Sequence, residues 1–358
     1  MNLSQLGWDS FFQDHFTSYE SKGFSPARIA LEERTLYTAY SELGELTGKV
    51  TGRFRYHATA RKEFPTVGDW VAIKGNKTTG RMAIHGVLPR KTTFTRMMTN
   101  KDKTTEEQVI SANIDVIFHV IGLDSSIHLR SIERYIAQAA TSGADLVIVL
   151  NKVDVCDDPA QKEEDVKTIA EKIPVITMSA LQKINMSPFL TYLPPKKTGT
   201  LVGLSGVGKS TLINALAGEE MQPTGTVRES DARGRHITTK RELIILPHGG
   251  LLIDNPGMRA FALNVDQEEL DDSFEDIATL MQQCKFTDCG HTVEPGCAIQ
   301  KALQDGTLDR DRYNNYLKLQ KELRFLAMKK DRKKYRDTVR KIDKYIRKTQ
   351  SWKKKVSQ

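Results

Sequence analysis

Residues Gly203-Leu204-Ser205-Gly206-Val207-Gly208-Lys209-Ser210-Thr211 limit what this chain can fold into more than any other segment. They match Gly-x4-Gly-Lys-Ser/Thr, follow the apolar run Thr200–Val202 and precede the helix-like stretch Leu212–Ala217, which is the strand-loop-helix setting of a phosphate-binding loop. The glycines let the backbone wrap a β-phosphate and aim its N–H groups at it. Lys209 brings a compact positive charge to the β and γ oxygens, and the Ser210 hydroxyl suits Mg²⁺. Such a loop sits at the carboxyl end of a parallel strand, so an α/β sheet is expected around it. By itself the loop does not separate ATP from GTP.

The base is chosen by Asn151-Lys152-Val153-Asp154, directly after the strand-like run that ends at Leu150. A carboxylate at Asp154 can accept from both N1–H and the 2-amino group of guanine, a donor pair that adenine lacks, and a buried carboxylate left unpaired is costly. The Asn151 amide can support the O6/N7 edge, and the Lys152 stem can lie along the base. Ile176-Thr177-Met178-Ser179-Ala180 ends the next strand and resembles the loop that touches guanine O6 through the Ala180 amide, with Ser179 beside it. A third apolar strand ends in Asp254-Asn255-Pro256-Gly257, where Asp254 can hold Mg²⁺ through a water and the Gly257 N–H can reach the γ-phosphate. Before it lies a polar stretch ending Arg233-Gly234-Arg235-His236-Ile237-Thr238-Thr239, which suits a switch whose Thr238 or Thr239 closes on Mg²⁺ and the γ-phosphate. Met258 stands where many GTPases place a water-orienting glutamine. His236 is the local substitute, and a purely structural histidine fits the position nearly as well. GTP with Mg²⁺ is therefore the expected substrate.

These segments run base loop, second base loop, phosphate loop, switch, Asp-x-x-Gly. An ordinary GTPase begins with the phosphate loop and finishes with the base loops. The same sheet results if the old termini are joined and the chain is opened between the Asp254 and Asn151 strands, because surface connections tolerate such a cut.

The 358 residues are too many for one ordinary core, and the pattern divides them. A polar leader, partly helical, is expected over 1–44. Lys49–Tyr56 alternates Lys49, Arg53 and Arg55 with apolar neighbours and predicts a strand with a basic face; with Val67–Ile73, Arg81–Leu88 and Thr92–Arg96 it suggests a small β-barrel over 45–100. Strands and helices alternate over 101–265, giving the α/β domain. Residues 266–325 carry Cys284-x4-Cys289-x-His291-x5-Cys297, three thiolates and an imidazole at a spacing that suits one structural, tetrahedral Zn²⁺. Four cysteines in a chain of this size do not make a disulfide framework. From Lys321 onward, 16 Lys and Arg face 4 Asp and Glu, a net of +12 against +8 for the whole chain, so residues 1–320 are net acidic and the basic character belongs to the tail, 326–358. There Tyr335, Val339, Ile342 and Ile346 fall on one helix face amid Lys and Arg, as in a helix laid on nucleic acid or docked with its charges solvated. Met1–Glu20 lacks the pattern of a secretory signal, and no apolar run approaches a membrane span, so a cytoplasmic protein without a membrane is expected.

Taken together, Asn151-Lys152-Val153-Asp154, Gly203 to Thr211, Gly234-Arg235-His236, Asp254-Asn255-Pro256-Gly257 and the Cys/His set resemble the circularly permuted small-subunit ribosome biogenesis GTPases of the RsgA/YjeQ type, over about residues 45–310. The resemblance implies three parts: an amino-terminal OB-fold, a permuted P-loop G domain and a helical zinc domain. It also implies hydrolysis of GTP to GDP and phosphate stimulated by the small (30S) ribosomal subunit, a role late in that subunit's maturation, rRNA as partner, and His236 as the catalytic histidine. A monomer is expected. Asn255 and Ile237 depart from the family, which more often has threonine there. The other reading is a GTP-gated rRNA-binding module with little turnover, because Met258 removes the usual water-positioner.

Overall fold

The computed structural model describes residues 1–58, 60–99, 105–218, 241–255, 270–271, 273–292 and 294–324. Two compact units emerge: Met1–Arg96 with Gln108–Phe261, and Met97–Glu107 with Ala262–Gln358.

The first unit begins with a short 3₁₀ turn, Leu3–Leu6, and helix α1, Ser10–Glu20, whose Asp9 cap accepts from the Phe12 N–H. Phe12 and Phe16 are buried from α1, and Trp8 and Phe12 meet Trp70 with ring centroids 4.7 and 5.7 Å apart. Strands β1 (Ser25–Glu33), β2 (Leu36–Ser41), β3 (Gly44–Val50), β4 (Trp70–Asn76) and β5 (Arg81–Val87) then pair in the order β1-β2-β3-β5-β4, with β4 returning to β1. β3 and β5 run parallel and the other pairs antiparallel, the closed five-stranded arrangement of an OB-type barrel. Gly48 is obligatory where β3 meets β5, since a Cβ there would lie 1.8 Å from the Met82 carbonyl oxygen. Ile29, Ala39, Leu46, Val71, Ile73 and Ile84 fill the barrel.

The structure departs from the sequence-based expectation at three places. The barrel starts at Ser25, inside the supposed leader of 1–44. β1 hid itself because Ala27, Arg28, Ile29 and Ala30 are all buried, which erases the period-two signal of a half-exposed strand. The basic strand of Lys49–Tyr56 does not exist either. β3 ends at Val50, and the Thr51 hydroxyl accepts from the Phe54 N–H to cap helix α2, Gly52–His57, so Lys49 does not share a strand face with Arg53 and Arg55. Finally, the strand expected at Thr92–Arg96 is β6 (Thr93–Thr99), which pairs with β7 (Thr105–Ala112) in a separate two-stranded sheet and not in the barrel.

The α/β half supplies β8 (Val116–Gly122), α3 (Leu129–Ala140), β9 (Asp145–Asn151), α4 (Pro159–Lys167), β10 (Val175–Thr177), α5 (Ser187–Tyr192), β11 (Thr198–Val202), α6 (Lys209–Ala217), β12 (Glu242–Ile245) and β13 (Leu251–Asp254). The strand order is β10-β9-β8-β11-β13-β12, parallel except for β12 against β13. β11, which feeds the phosphate loop, lies in the middle of the sheet although three strands precede it in this half of the chain. The phosphate-loop strand is thus reached only after β9 and β10, the strands that lead into the two base loops, as the order of the motifs along the chain implies. Phe118 stacks on Phe189 at 3.9 Å, with Leu201, Leu212 and Ile213 in the same buried layer.

β12 pairs with β1 through Leu31 and Glu242, so barrel and α/β sheet are one continuous eleven-stranded sheet. Arg28 anchors that seam. Its fully buried guanidinium donates to the carbonyls of Gly68 (3.2 Å), Asn113 (2.9 Å) and Leu6, and burial lowers its pKa to about 10 despite the pull of Asp115 and Asp69.

In the second unit, α7 (Glu275–Gln282), α8 (Ala298–Asp305) and α9 (residues 310–324) surround Phe274, Ile277, Ile299 and Tyr316. Arg312 grips Asp276 with two bonds of 2.8 and 2.7 Å, and the Tyr316 hydroxyl donates to Asp271 at 2.8 Å. The basic tail 326–358 lies outside the described residues. No helix among those described is long and apolar enough to cross a membrane.

Arg28→Met should lower stability by about 3 kcal/mol, since the buried carbonyls of Leu6 and Asn113 are left without a donor and that of Gly68 keeps only the Asn113 amide. Urea unfolding of the first unit reads this; an unchanged midpoint would show that the carbonyls find other partners.

Candidate functional site

The phosphate loop leaves β11 and enters α6 as the spacing predicts, with Gly203, Gly206 and Gly208 at positive φ (145°, 86° and 98°). Gly208 cannot be replaced cheaply: a Cβ would stand 2.3 Å from the Asn151 side-chain nitrogen. Leu204 is exposed at the mouth of the loop, whereas Lys209 is buried at the start of α6, next to Ser210 and Thr211. The Lys209 ammonium donates to the carbonyls of Gly203 (2.8 Å) and Leu204 (2.7 Å). Burial lowers its pKa to about 8, and the charge of Asp254 works against that.

Asp254 ends β13 beside β11, where it pairs in register with Leu201. Its carboxyl is pushed up to about 6 by burial, offset by Lys209. One of its oxygens, Oδ2, is buried without a hydrogen-bond partner among the described residues. An orphaned carboxylate oxygen next to the loop that carries Ser210 fits a hydrated Mg²⁺, whose water would satisfy it.

The base side is joined to the phosphate side by one residue. Asn151, 2% exposed at the end of β9, donates from Nδ2 to the Val207 carbonyl in the phosphate loop and accepts on Oδ1 from the Ala180 N–H, both at 2.9 Å. Lys152 follows in a left-handed turn (φ 72°), with its ammonium 2.6 Å from Asp124. Val153–Val155 makes a single 3₁₀ turn that leaves Asp154 exposed, and Ser179 is buried with its hydroxyl accepting from the Gln182 N–H. The Ala180 N–H, expected at guanine O6, donates here to Asn151. Ala180 thus orients the asparagine that touches the phosphate loop. His236, Thr238, Thr239, Gly257 and Met258 lie outside the described residues.

Two features had no sequence signal. Asn255 is buried and donates to the hydroxyls of Ser111 (2.9 Å) and Thr200 (2.6 Å), so the residue after Asp254 is tied both to the phosphate-loop strand and to β7. His119 on β8 is buried against Tyr135, ring centroids 3.9 Å apart, and burial with the Lys209 charge lowers its pKa to about 3. It is a neutral wedge beside the phosphate-loop strand. Both depend on which strands are neighbours, which a single sequence does not declare.

Within the second unit, Cys284, Cys289, His291 and Cys297 hold their ligand atoms within 4.8 Å of one another. His291 Nδ1 lies 3.5 and 3.6 Å from the sulfurs of Cys284 and Cys297, which are 4.0 Å apart. Tetrahedral Zn²⁺ with its usual bond lengths sets such edges at about 3.5–3.8 Å, so the four residues fit one ion. The loop is held from both outside and within: Gln300 donates to the His291 carbonyl at 2.6 Å, and the Glu294 carboxylate, inside the loop, accepts from the N–H groups of Gly290 and Thr292.

The RsgA GTPase family model matches residues 87–264. An ABC transporter model matches 181–354, a span that includes the phosphate loop but begins after Asn151 and Ala180 and so leaves out the base side. The small ribosomal subunit biogenesis GTPase RsgA of Opitutus terrae is 43% identical over 342 residues, covering 92% of each chain. That of Leptospira interrogans is 40% identical over 324 residues, 90% of this chain and 88% of its own. Among solved structures, YjeQ from Thermotoga maritima superposes with a TM-score of 0.58 at 27% identity, covering 84% of this chain and 98% of that one.

Removal of metal with a chelator should open residues 284–297 to proteolysis while GTP binding by the first unit persists, as expected when metal supplies the folding energy of a small module. Unchanged proteolysis in protein verified to be metal-free would contradict a zinc-held loop.

Proposed function

Because the chain belongs to the RsgA GTPase family, we propose that it binds the small ribosomal subunit late in that subunit's maturation, hydrolyses GTP to GDP and phosphate, and leaves the rRNA when it does so. The observation that carries this reading is the Asn151 bridge, which brings a guanine-selecting loop onto a phosphate loop in one site.

In this reading the Asp154 carboxylate accepts from guanine N1–H and the 2-amino group, Lys152 flanks the base, and Val153 sets the turn between them. Asn151, Ser179 and Ala180 fix the loop that holds the base edge. The backbone from Gly203 to Gly208 cradles the phosphates, and Lys209 moves its ammonium from the loop carbonyls to the β and γ oxygens. Ser210 and Asp254 would hold Mg²⁺, directly and through a water, with Thr211 following in the first turn of α6. When bound, the ion neutralises charge on the phosphates. Thr238 or Thr239 and the Gly257 N–H face the γ-phosphate, and His236 orients the attacking water in place of the residue that Met258 cannot supply. In chain order Gly257 is followed by the zinc-binding segment, so release of phosphate has a covalent route to it. The chain acts as a monomer in the cytoplasm, with one structural Zn²⁺ in the Cys284, Cys289, His291, Cys297 loop.

Single-turnover GTP hydrolysis should rise on adding purified small subunits and stay at its basal rate with large ones. His236→Ala should remove most of that rise, about a hundredfold, with GTP affinity within about threefold of the unaltered protein. No stimulation by small subunits would favour the rRNA-binding module with little turnover. Equal loss of binding and hydrolysis in the variant would reassign His236 to folding.

A further inference from the structure

One carboxylate at the seam between barrel and β12 faces more positive charge than it can neutralise. Glu32, near the end of β1, has its Oε1 4.0 Å from Arg61 and its Oε2 3.8 Å from Arg241, and its Oε2 also accepts from the Thr66 hydroxyl at 3.5 Å. Both ion pairs are at the outer edge of contact. By comparison Asp69 nearby is gripped by Arg90 through two bonds of 2.7 Å and is fully used. Arg96 is a third guanidinium in the group, and its donors go to the neutral Gln108 carbonyl at 3.1 and 3.0 Å. Two guanidiniums thus share one carboxylate without closing on it, and Arg96 stands near enough to Arg61 and Arg241 to repel them. Burial and then the neighbouring arginines hold Arg96 and Arg241 below the ordinary arginine range, while burial pushes Glu32 up, so the cluster has surplus positive charge in a half-buried place. The Arg61 side chain is 51% exposed and that of Arg241 18%, which leaves the group open to solvent on the Arg61 side.

We propose that Arg61, Arg241 and Arg96 form a seat for one backbone phosphate of RNA, with Glu32 as the weak counter-charge that keeps the guanidiniums splayed until the phosphate arrives. A guanidinium fork matches a phosphodiester's two free oxygens and gains most from charge-assisted bonds where water is scarce. The barrel that contributes Glu32 and Arg61 is of a type that binds oligonucleotides. Exposed Arg53, Arg55 and Tyr56 on α2 shortly precede Arg61 in the chain and give a strand of RNA further phosphate and stacking partners. Arg241 comes two residues after Thr239 and immediately precedes β12, the strand that pairs with β13, which ends at Asp254. A phosphate on Arg241 therefore acts on the end of the switch segment, which gives RNA held at the barrel a physical route to the nucleotide site. The seat rests on the reading of the chain as an rRNA binder.

The test is binding of a fluorescein-labelled single-stranded RNA oligonucleotide to the full chain across a salt series, for the unaltered protein, Arg61→Gln and Glu32→Gln. Each variant is first matched to the unaltered protein in GTP affinity and thermal midpoint, and Arg61→Lys is the charge-keeping control. Arg61→Gln should weaken binding several-fold and flatten the slope of log affinity against log salt by about 0.7, the value of one phosphate contact on a single strand. Arg61→Lys should keep the slope. Glu32→Gln should tighten binding, by about threefold, because a repelling charge is gone. A purely structural Glu32 would not give that opposite sign. Unchanged slopes in both glutamine variants overturn the seat while leaving rRNA binding in place, and absence of any RNA binding by the unaltered chain overturns both readings. Displacement of the oligonucleotide by low-millimolar inorganic phosphate at matched ionic strength would overturn the assignment to RNA in favour of a free-anion site.

Discussion

Two hydrogen bonds from one buried amide hold the nucleotide site together. Asn151 reaches from the end of β9 to Val207 in the phosphate loop and to Ala180 after β10. Each partner comes from a different strand end, and none is a sequence neighbour of another. Since the loops are fastened by a side chain and not by chain continuity, the order in which the backbone visits them is free. A permuted chain can therefore keep an ordinary guanine-nucleotide geometry. The close approach of Gly208 to the Asn151 side chain shows why a glycine is needed where the two halves meet.

The same logic connects the site to the rest of the first unit. Asn255 extends the Asp254 strand end into a hydroxyl pair on β11 and β7, and β12 extends the sheet into the barrel through Leu31 and Glu242. Arg28 locks that seam from the inside with three carbonyls, so the barrel has little freedom to tilt without exposing a buried guanidinium. Asp254, next to the γ-phosphate in the proposed cycle, is thereby one residue from the bonds that carry its position to β7. These are polar contacts in a dry interior, where a small displacement breaks a bond outright and does not merely stretch it.

Much of this was legible in the sequence, for unequal reasons. The phosphate loop, Asn151 to Asp154 and the Cys/His set were readable because each is a local pattern whose chemistry fixes its own spacing. β9, β11 and β13 were readable as apolar runs ending at Asn151, at the phosphate loop and at Asp254. β1 was not, because its central residues are buried on both faces and show no alternation, and Arg28 in their midst reads as a surface residue. α2 reads as strand because Lys49, Arg53 and Arg55 alternate with apolar neighbours, and the one local signal for a helix is Thr51 as its cap. The Asn255 network and the arginines about Glu32 arise only when β12, β1 and β7 are brought near one another, so no local pattern announces them. The commitment of the Ala180 N–H to Asn151 was invisible for the same reason.

If the Asn151 bridge is what unites base loop and phosphate loop, removing it must weaken both sides at once. Titration calorimetry of GTP and GDP against Asn151→Ala is the direct measurement. The account predicts that affinity for both nucleotides falls by about tenfold to a hundredfold, as the loss of two buried hydrogen bonds allows, with the thermal midpoint of the nucleotide-free protein falling as well. Affinities within twofold of the unaltered protein would mean that the loops hold their places without Asn151, and the bridge would not be the constraint on which the site depends.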